Sequence, residues 1–257
     1  MRRLCIAIVL GVAACGKKDE NAAPAGGAAS PAGGAATVPA PAGGGSVTGT
    51  VSFTGTPPAN PAIDMSEEAA CKAKHASGAV DPRVTVTGGK LADVVVYVKS
   101  GLPGGQTFPA PTQAVVLDQN GCLYQPTHFA VMAGQPVEIK NSDPVLHNIK
   151  AVPKANRGFN ISQPREGMKT TRTFSTAEAE VPLECNVHGW MHAAAMVLPH
   201  PFFATTKADG SFTISGLPAG TYEIEAHHRT LGTRTATVTV PATGAATTDF
   251  TFAAPAA

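Results

Sequence analysis

The chain has 257 residues, with 19 Lys plus Arg against 18 Asp plus Glu and a formal net charge of +1. No basic block or basic–aromatic array accompanies that balance, which leaves no case for nucleic acid as a partner. No Gly-x-Ser-x-Gly, His-Glu-x-x-His or paired-carboxylate arrangement is present, so hydrolysis has no visible apparatus.

The first 15 residues have two arginines, a short apolar run and small residues ahead of Cys15. That order describes a secretory signal peptide too short to span a bilayer. Val12-Ala13-Ala14-Cys15 resembles the bacterial lipobox. The resemblance implies cleavage before Cys15, acylation there and anchorage to a membrane of the bacterial cell envelope, facing the periplasm or the cell surface. Gly16 in place of Asp points to the outer membrane by that family's rule. An ordinary secreted protein is the alternative. Residues 16–45 are almost all Ala, Gly and Pro after a short charged run. They bury too little to offset their ordering entropy, so a disordered linker is expected, spanning about 30 Å as a flexible coil.

From residue 46 the pattern is all-β. Val47, Gly49, Val51 and Phe53 alternate with Thr and Ser as a first strand. A short helix is expected within 66–76, around Cys71. Leu91 to Val98 is apolar and β-branched, as a central strand should be. Val115–Leu117 and Cys122–Tyr124 flank Asn120-Gly121, a hairpin signal. Val137 and Ile139 alternate ahead of a turn carrying His147, and Thr170–Phe174 makes another strand. Val181, Leu183 and Cys185 alternate with Pro182 and Glu184, so Cys185 ends a strand pointing inward. Ala194–Leu198 resumes a strand after the loop.

That loop, Cys185-Asn-Val-His188-Gly-Trp-Met191, places a thiolate, an imidazole and a thioether within seven residues. Asn141-Ser-Asp-Pro-Val-Leu-His147-Asn148 supplies a second imidazole. Two imidazoles and a thiolate with a weak axial thioether are the ligand set of a blue-copper electron-transfer site. Zinc has little use for the thioether. The Cys-x-x-His-x-x-Met spacing and the His147-Asn148 pair resemble the cupredoxins, the short ligand loop being similar to that of amicyanin. The resemblance implies one type 1 copper on His147, Cys185, His188 and Met191. It also implies that His188 lies near the surface as the electron port, with an unidentified redox protein docking near His188 and Trp190. Trp190 is equally readable as core packing.

Ala208-Asp209-Gly210-Ser-Phe212 and Gly216-Leu-Pro-Ala-Gly220-Thr-Tyr222 resemble the carboxypeptidase regulatory-like domain, a transthyretin-like β-sandwich whose name implies no peptidase activity. Thr48–Val51 is expected as its opening strand, with Val94–Val98 as the next partner. The domains expected are therefore a signal peptide at 1–15, a linker at 16–45, a transthyretin-like sandwich from 46–112 plus 200–252, and a cupredoxin Greek-key sandwich at 113–199 inserted into it. Two consecutive sandwiches, with 46–198 an extended cupredoxin, are the alternative. Of five cysteines, Cys5 leaves with the signal, Cys15 carries lipid and Cys185 binds copper. Cys71 and Cys122 remain, and an extracytoplasmic setting favours a disulfide between them over two buried thiols. His227 and His228 read as surface histidines, and His128, His192 and His200 are each weak as further ligands. An electron carrier is the reading favoured over an enzyme. The competing readings are a copper-delivery protein without redox turnover and a sandwich that binds surface carbohydrate or protein.

Overall fold

The computed structural model describes residues 43–254. The expected signal peptide, the Cys15 lipidation site and nearly all of the linker lie outside the described residues. Strand Gly45–Thr54 begins at the last residue of the expected linker.

The described chain is all-β with one short helix, Ala69–Ala73. Its strands form two pairs of facing sheets. In the first pair, Gly45–Thr54 lies antiparallel to Ser211–Leu217 and parallel to both Ala245–Thr247 and Phe250–Ala253. Gly49 has to be glycine, because a Cβ there would overlap the Thr248 carbonyl. The facing sheet runs Phe203–Thr205, Val95–Ser100, Gly220–His228, Gly232–Val240. Val95–Ser100 therefore pairs with Gly220–His228 and not with the opening strand, as had been expected for Val94–Val98. It faces that strand across a core that includes Val51, Val96, Val98, Ile224 and Phe252. Such β-branched runs are buried on both faces because two neighbours cover them.

In the second pair, one sheet runs Lys169–Thr173, Pro136–Asn141, Val115–Gln119, Tyr124–Gln125. The other runs Phe159–Gln163, His147–Ala151, Glu178–Glu184, His192–Leu198, His128–Met132. Their inward side chains, among them Leu117, Phe129, Ile139, Ile149 and Leu183, build a second core. Burying Phe129 alone contributes about 2–3 kcal/mol. Gly121 and Cys122 both adopt positive φ in the hairpin turn, the backbone required by a tight turn that matches strand twist.

Two further features position the site. The segment bearing the helix is closed by pairing of Ala62–Ile63 with Ala79–Val80. Its buried Met65, Cys71 and Ala79 belong to the second core, and Cys71 is disulfide-bonded to Cys122 with a Cα–Cα distance of 5.5 Å. A third apolar cluster joins the two pairs of sheets. In it Ala130, Met132, Met196 and Leu198 meet Val95 and Phe203.

Candidate metal centre

Asn141 builds the turn that presents His147. Its side-chain amide donates to the carbonyls of Val145 and Gln163 at 2.9 Å, and its Oδ1 accepts the Asp143 N–H at 2.9 Å. Asp143 is thereby held inside the protein, where its carboxylate accepts from the Gly121 N–H at 2.8 Å, the Cys122 N–H at 2.7 Å and Lys74 Nζ at 2.5 Å. Its remaining partner is His147 Nε2 at 2.8 Å. A carboxylate so surrounded can only accept, which puts the proton on Nε2 and leaves Nδ1 as the donor atom. Burial works against ionising Asp143, but His147, Lys74 and the two backbone N–H groups prevail and its pKa is lowered. Burial likewise opposes the charged form of His147; Asp143 and Cys185 outweigh it and its pKa is raised.

The thiolate loop closes on itself through its backbone. The Cys185 N–H donates to the Met191 carbonyl at 3.2 Å and the Met191 N–H to the His188 carbonyl at 2.9 Å. The His188 N–H reaches Cys185 Sγ at 3.4 Å. Asn148 ties the loop to the neighbouring strand by accepting the Asn186 N–H at 3.2 Å. Burial pushes the Cys185 thiol up. The neighbouring His147 and His188 side chains, with the His188 and Asn148 backbones, overturn that and bring it down to about 5. A thiol with that pKa is a thiolate at neutral pH, the form that ligates metal.

These elements bring three of the four expected ligands together. His147 Nδ1 lies 3.0 Å from His188 Nδ1, and Cys185 Sγ lies 3.9 Å from the same nitrogen. Donor atoms of the three residues all lie within 4.8 Å of one another, and all three residues are buried. A nitrogen pair 3.0 Å apart is the spacing of two imidazoles on one ion with bonds of about 2 Å. Met191 is fully buried in the same core as Cys185. A soft thiolate, two imidazoles and a thioether buried in the same core fit copper. Cys122, Asp143 and His147 also cluster. The Cys122 sulfur is spent in the disulfide, however, and Asp143 is spent on His147.

His188, expected near the surface, is only 3% exposed. Its Nε2 faces Cys71 Sγ at 4.0 Å, and the Trp190 ring lies tilted against it with centroids 5.1 Å apart. Trp190 is half-buried and its Nε1–H donates to the Cys122 carbonyl at 3.0 Å. The disulfide-bonded segment therefore covers the imidazole that cupredoxin likeness would leave open. Val187 and Leu146, next to two of the ligands, remain exposed. Sequence reasoning missed Asp143 and Lys74 altogether. The Asp143–His147 spacing of four residues was the available signal for the first; nothing local marks the second.

The family model for the carboxypeptidase regulatory-like domain matches residues 196–253. That segment carries the expected Asp-Gly turn and the Leu-Pro-x-Gly-x-Tyr run. No curated protein matches the chain. Among solved structures, a purple cupredoxin from Nitrosopumilus maritimus is 20% identical with a TM-score of 0.29, covering 33% of this chain and 99% of its own. An amicyanin variant in the Cu(I) state is 18% identical with a TM-score of 0.30, covering 41% of this chain and 98% of its own. A copper-containing nitrite reductase from Thermus scotoductus SA-01 is 18% identical with a TM-score of 0.32 over 38% of this chain and only 25% of its own. These are weak likenesses.

Proposed function

We propose that this protein is an electron carrier of the bacterial cell envelope that holds one copper ion on His147, Cys185, His188 and Met191, and is not an enzyme. The observation that carries the reading is the convergence of a buried thiolate with two imidazole Nδ1 atoms, one of them oriented by a buried carboxylate. Copper bound there supplies a one-electron couple, and the mixed soft and borderline ligands suit both of its oxidation states. The protein's own part is to hold the ligands still. Asp143 fixes the His147 ring, Asn148 pins the start of the loop, and the loop's backbone hydrogen bonds keep Cys185 and His188 in register. Pre-formed ligand positions lessen the rearrangement that accompanies electron arrival.

The redox partner is proposed to dock where Val187 and Leu146 are exposed and Trp190 is half-buried, since apolar patches around a site mark contact surfaces. The proposed anchor is lipid on Cys15. The Cys71–Cys122 disulfide supports an oxidising compartment. The strand order supports an inserted arrangement, because residues 45–54 pair with strands from 211–253 while strands from 115–198 pair among themselves.

Copper-reconstituted protein is expected to show an intense visible copper–thiolate band that bleaches on reduction and returns on oxidation. Cys185→Ala is expected to abolish it. A holoprotein without that band, or a variant that keeps it, refutes the assignment.

A further inference from the structure

Asp143 stands behind His147, and a cation stands behind Asp143. Lys74 Nζ lies 2.5 Å from Asp143 Oδ1, and the carboxylate side chain it meets is only 1% exposed. The two oxygens divide their partners. Oδ1 takes Lys74 and the Gly121 N–H, while Oδ2 takes the Cys122 N–H and His147 Nε2. Lys74 and His147 therefore grip one buried carboxylate from opposite oxygens.

This lysine is not a loose surface side chain. It caps helix Ala69–Ala73, and its N–H donates to the Cys71 carbonyl at 3.1 Å. Cys71 before it and His75 after it are both fastened to one hairpin turn. Cys71 is bonded to Cys122, and His75 donates from Nε2 to the Gly121 carbonyl at 2.7 Å. The ammonium also reaches the Ser142 carbonyl at 3.4 Å. A lysine anchored on both flanks gives up less entropy when it pairs than a free surface lysine does.

The cation changes the charge balance of the centre. Two anions lie close together there, the Cys185 thiolate and the Asp143 carboxylate, with Lys74 as their cation. With Cu(II) bound these charges leave a single positive one, and with Cu(I) bound they cancel. A net charge is far harder to bury than a balanced set. Lys74 thus makes the reduced state the balanced one. Without it the oxidised state is balanced, and the reduced state carries an uncompensated negative charge in the core.

We propose that Lys74, a positioning residue outside the expected cupredoxin range, raises the reduction potential of the copper centre by neutralising the carboxylate that orients His147. The inference rests on the copper reading above. One electron passes from the redox partner, which is oxidised, to Cu(II), which becomes Cu(I), and no proton is carried with it.

The test is a redox titration of the full-length, copper-loaded protein, followed by its blue band, in the wild type, Lys74→Met and Lys74→Arg. Lys74→Met keeps the apolar stem and removes the charge. It is expected to tilt the balance about tenfold toward Cu(II), a potential lower by about 59 mV for one electron. Lys74→Gln, equally uncharged, should shift it likewise, and Lys74→Arg should hold the wild-type potential. Chelator competition on each oxidation state should show the same change in the ratio of copper(II) to copper(I) affinity. Denaturant unfolding of the metal-free variants reads lost anchoring by itself. A blue wild type whose potential is unmoved in Lys74→Met overturns the inference whatever happens to stability, since Lys74 then only pins its segment. An equal fall in Lys74→Arg and Lys74→Met overturns it too. A wild type with no blue band fails the copper reading itself and takes the inference with it.

Discussion

Asp143 does at one residue what the ligands cannot do for themselves. It sits four residues before His147, accepts four hydrogen bonds and leaves the imidazole one available tautomer. Carboxylates behind metal-bound histidines typically govern 10–100-fold in metal affinity. Asp143→Asn is therefore expected to weaken copper binding by about that factor while keeping the blue band, because the thiolate is untouched. Competition against a chelator of known affinity measures it, and an unchanged affinity would show that His147 needs no orienting partner. Much of this site was readable in the sequence. Cys185, His188 and Met191 lie on one short loop, and a strand's period of two already turned Cys185 inward. Lys74 was not readable, because its contact with Asp143 spans 69 residues and depends on how a separate segment folds back.

Among the elements, the segment with helix Ala69–Ala73 has little of its own to hold it. A five-residue helix is far too short to be stable alone, and its partner strands are two residues each. The bond from Cys71 to Cys122 fastens it across the His188 ring. Replacing both cysteines by Ser is expected to cost about 2–5 kcal/mol in denaturant unfolding. In the same variant His188 should become more accessible, read as faster electron exchange with a small-molecule reductant. Unchanged stability and unchanged exchange together would mean the segment stays in place without its bond. Local patterns announced most elements, including the Asn120-Gly121 hairpin and the strand ending at Cys185. They could not sort strands into sheets. Val95–Ser100 and Gly45–Thr54 were both legible as strands, but which neighbour each takes is set by the Gly220–His228 and Phe250–Ala253 partners, more than a hundred residues away.

Across the whole molecule, the apolar junction gives way at one side to buried histidines, and this sets a limit on acid stability. Burial, aided by His227, brings His128 to about 3 and His228 to about 4, so both are neutral in the folded state. The unfolded chain, with ordinary histidines near 6.5, binds protons that the folded chain refuses. Stability therefore rises with pH through this window and is lost as the pH falls from about 6.5 toward 4. Metal-free protein is expected to lose about 2 kcal/mol per imidazole between pH 6 and pH 4. His228→Asn should flatten that slope whatever it does to stability at pH 7. Denaturant midpoints collected across the range measure it, and equal slopes in the two proteins would dissociate His228 from the effect. Strand Gly45–Thr54 carries a different consequence. Apart from the short contact of Ser52 with Lys90, its hydrogen-bonding partners begin at residue 211 and end at residue 253. A chain emerging N-terminus first must leave most of that strand without a neighbour until nearly all of the polypeptide has followed. The strands between residues 115 and 198, which pair among themselves, are free to settle beforehand, so a nascent chain halted near residue 200 would present a finished sandwich with its candidate metal centre beside a largely bare, adhesive β-edge.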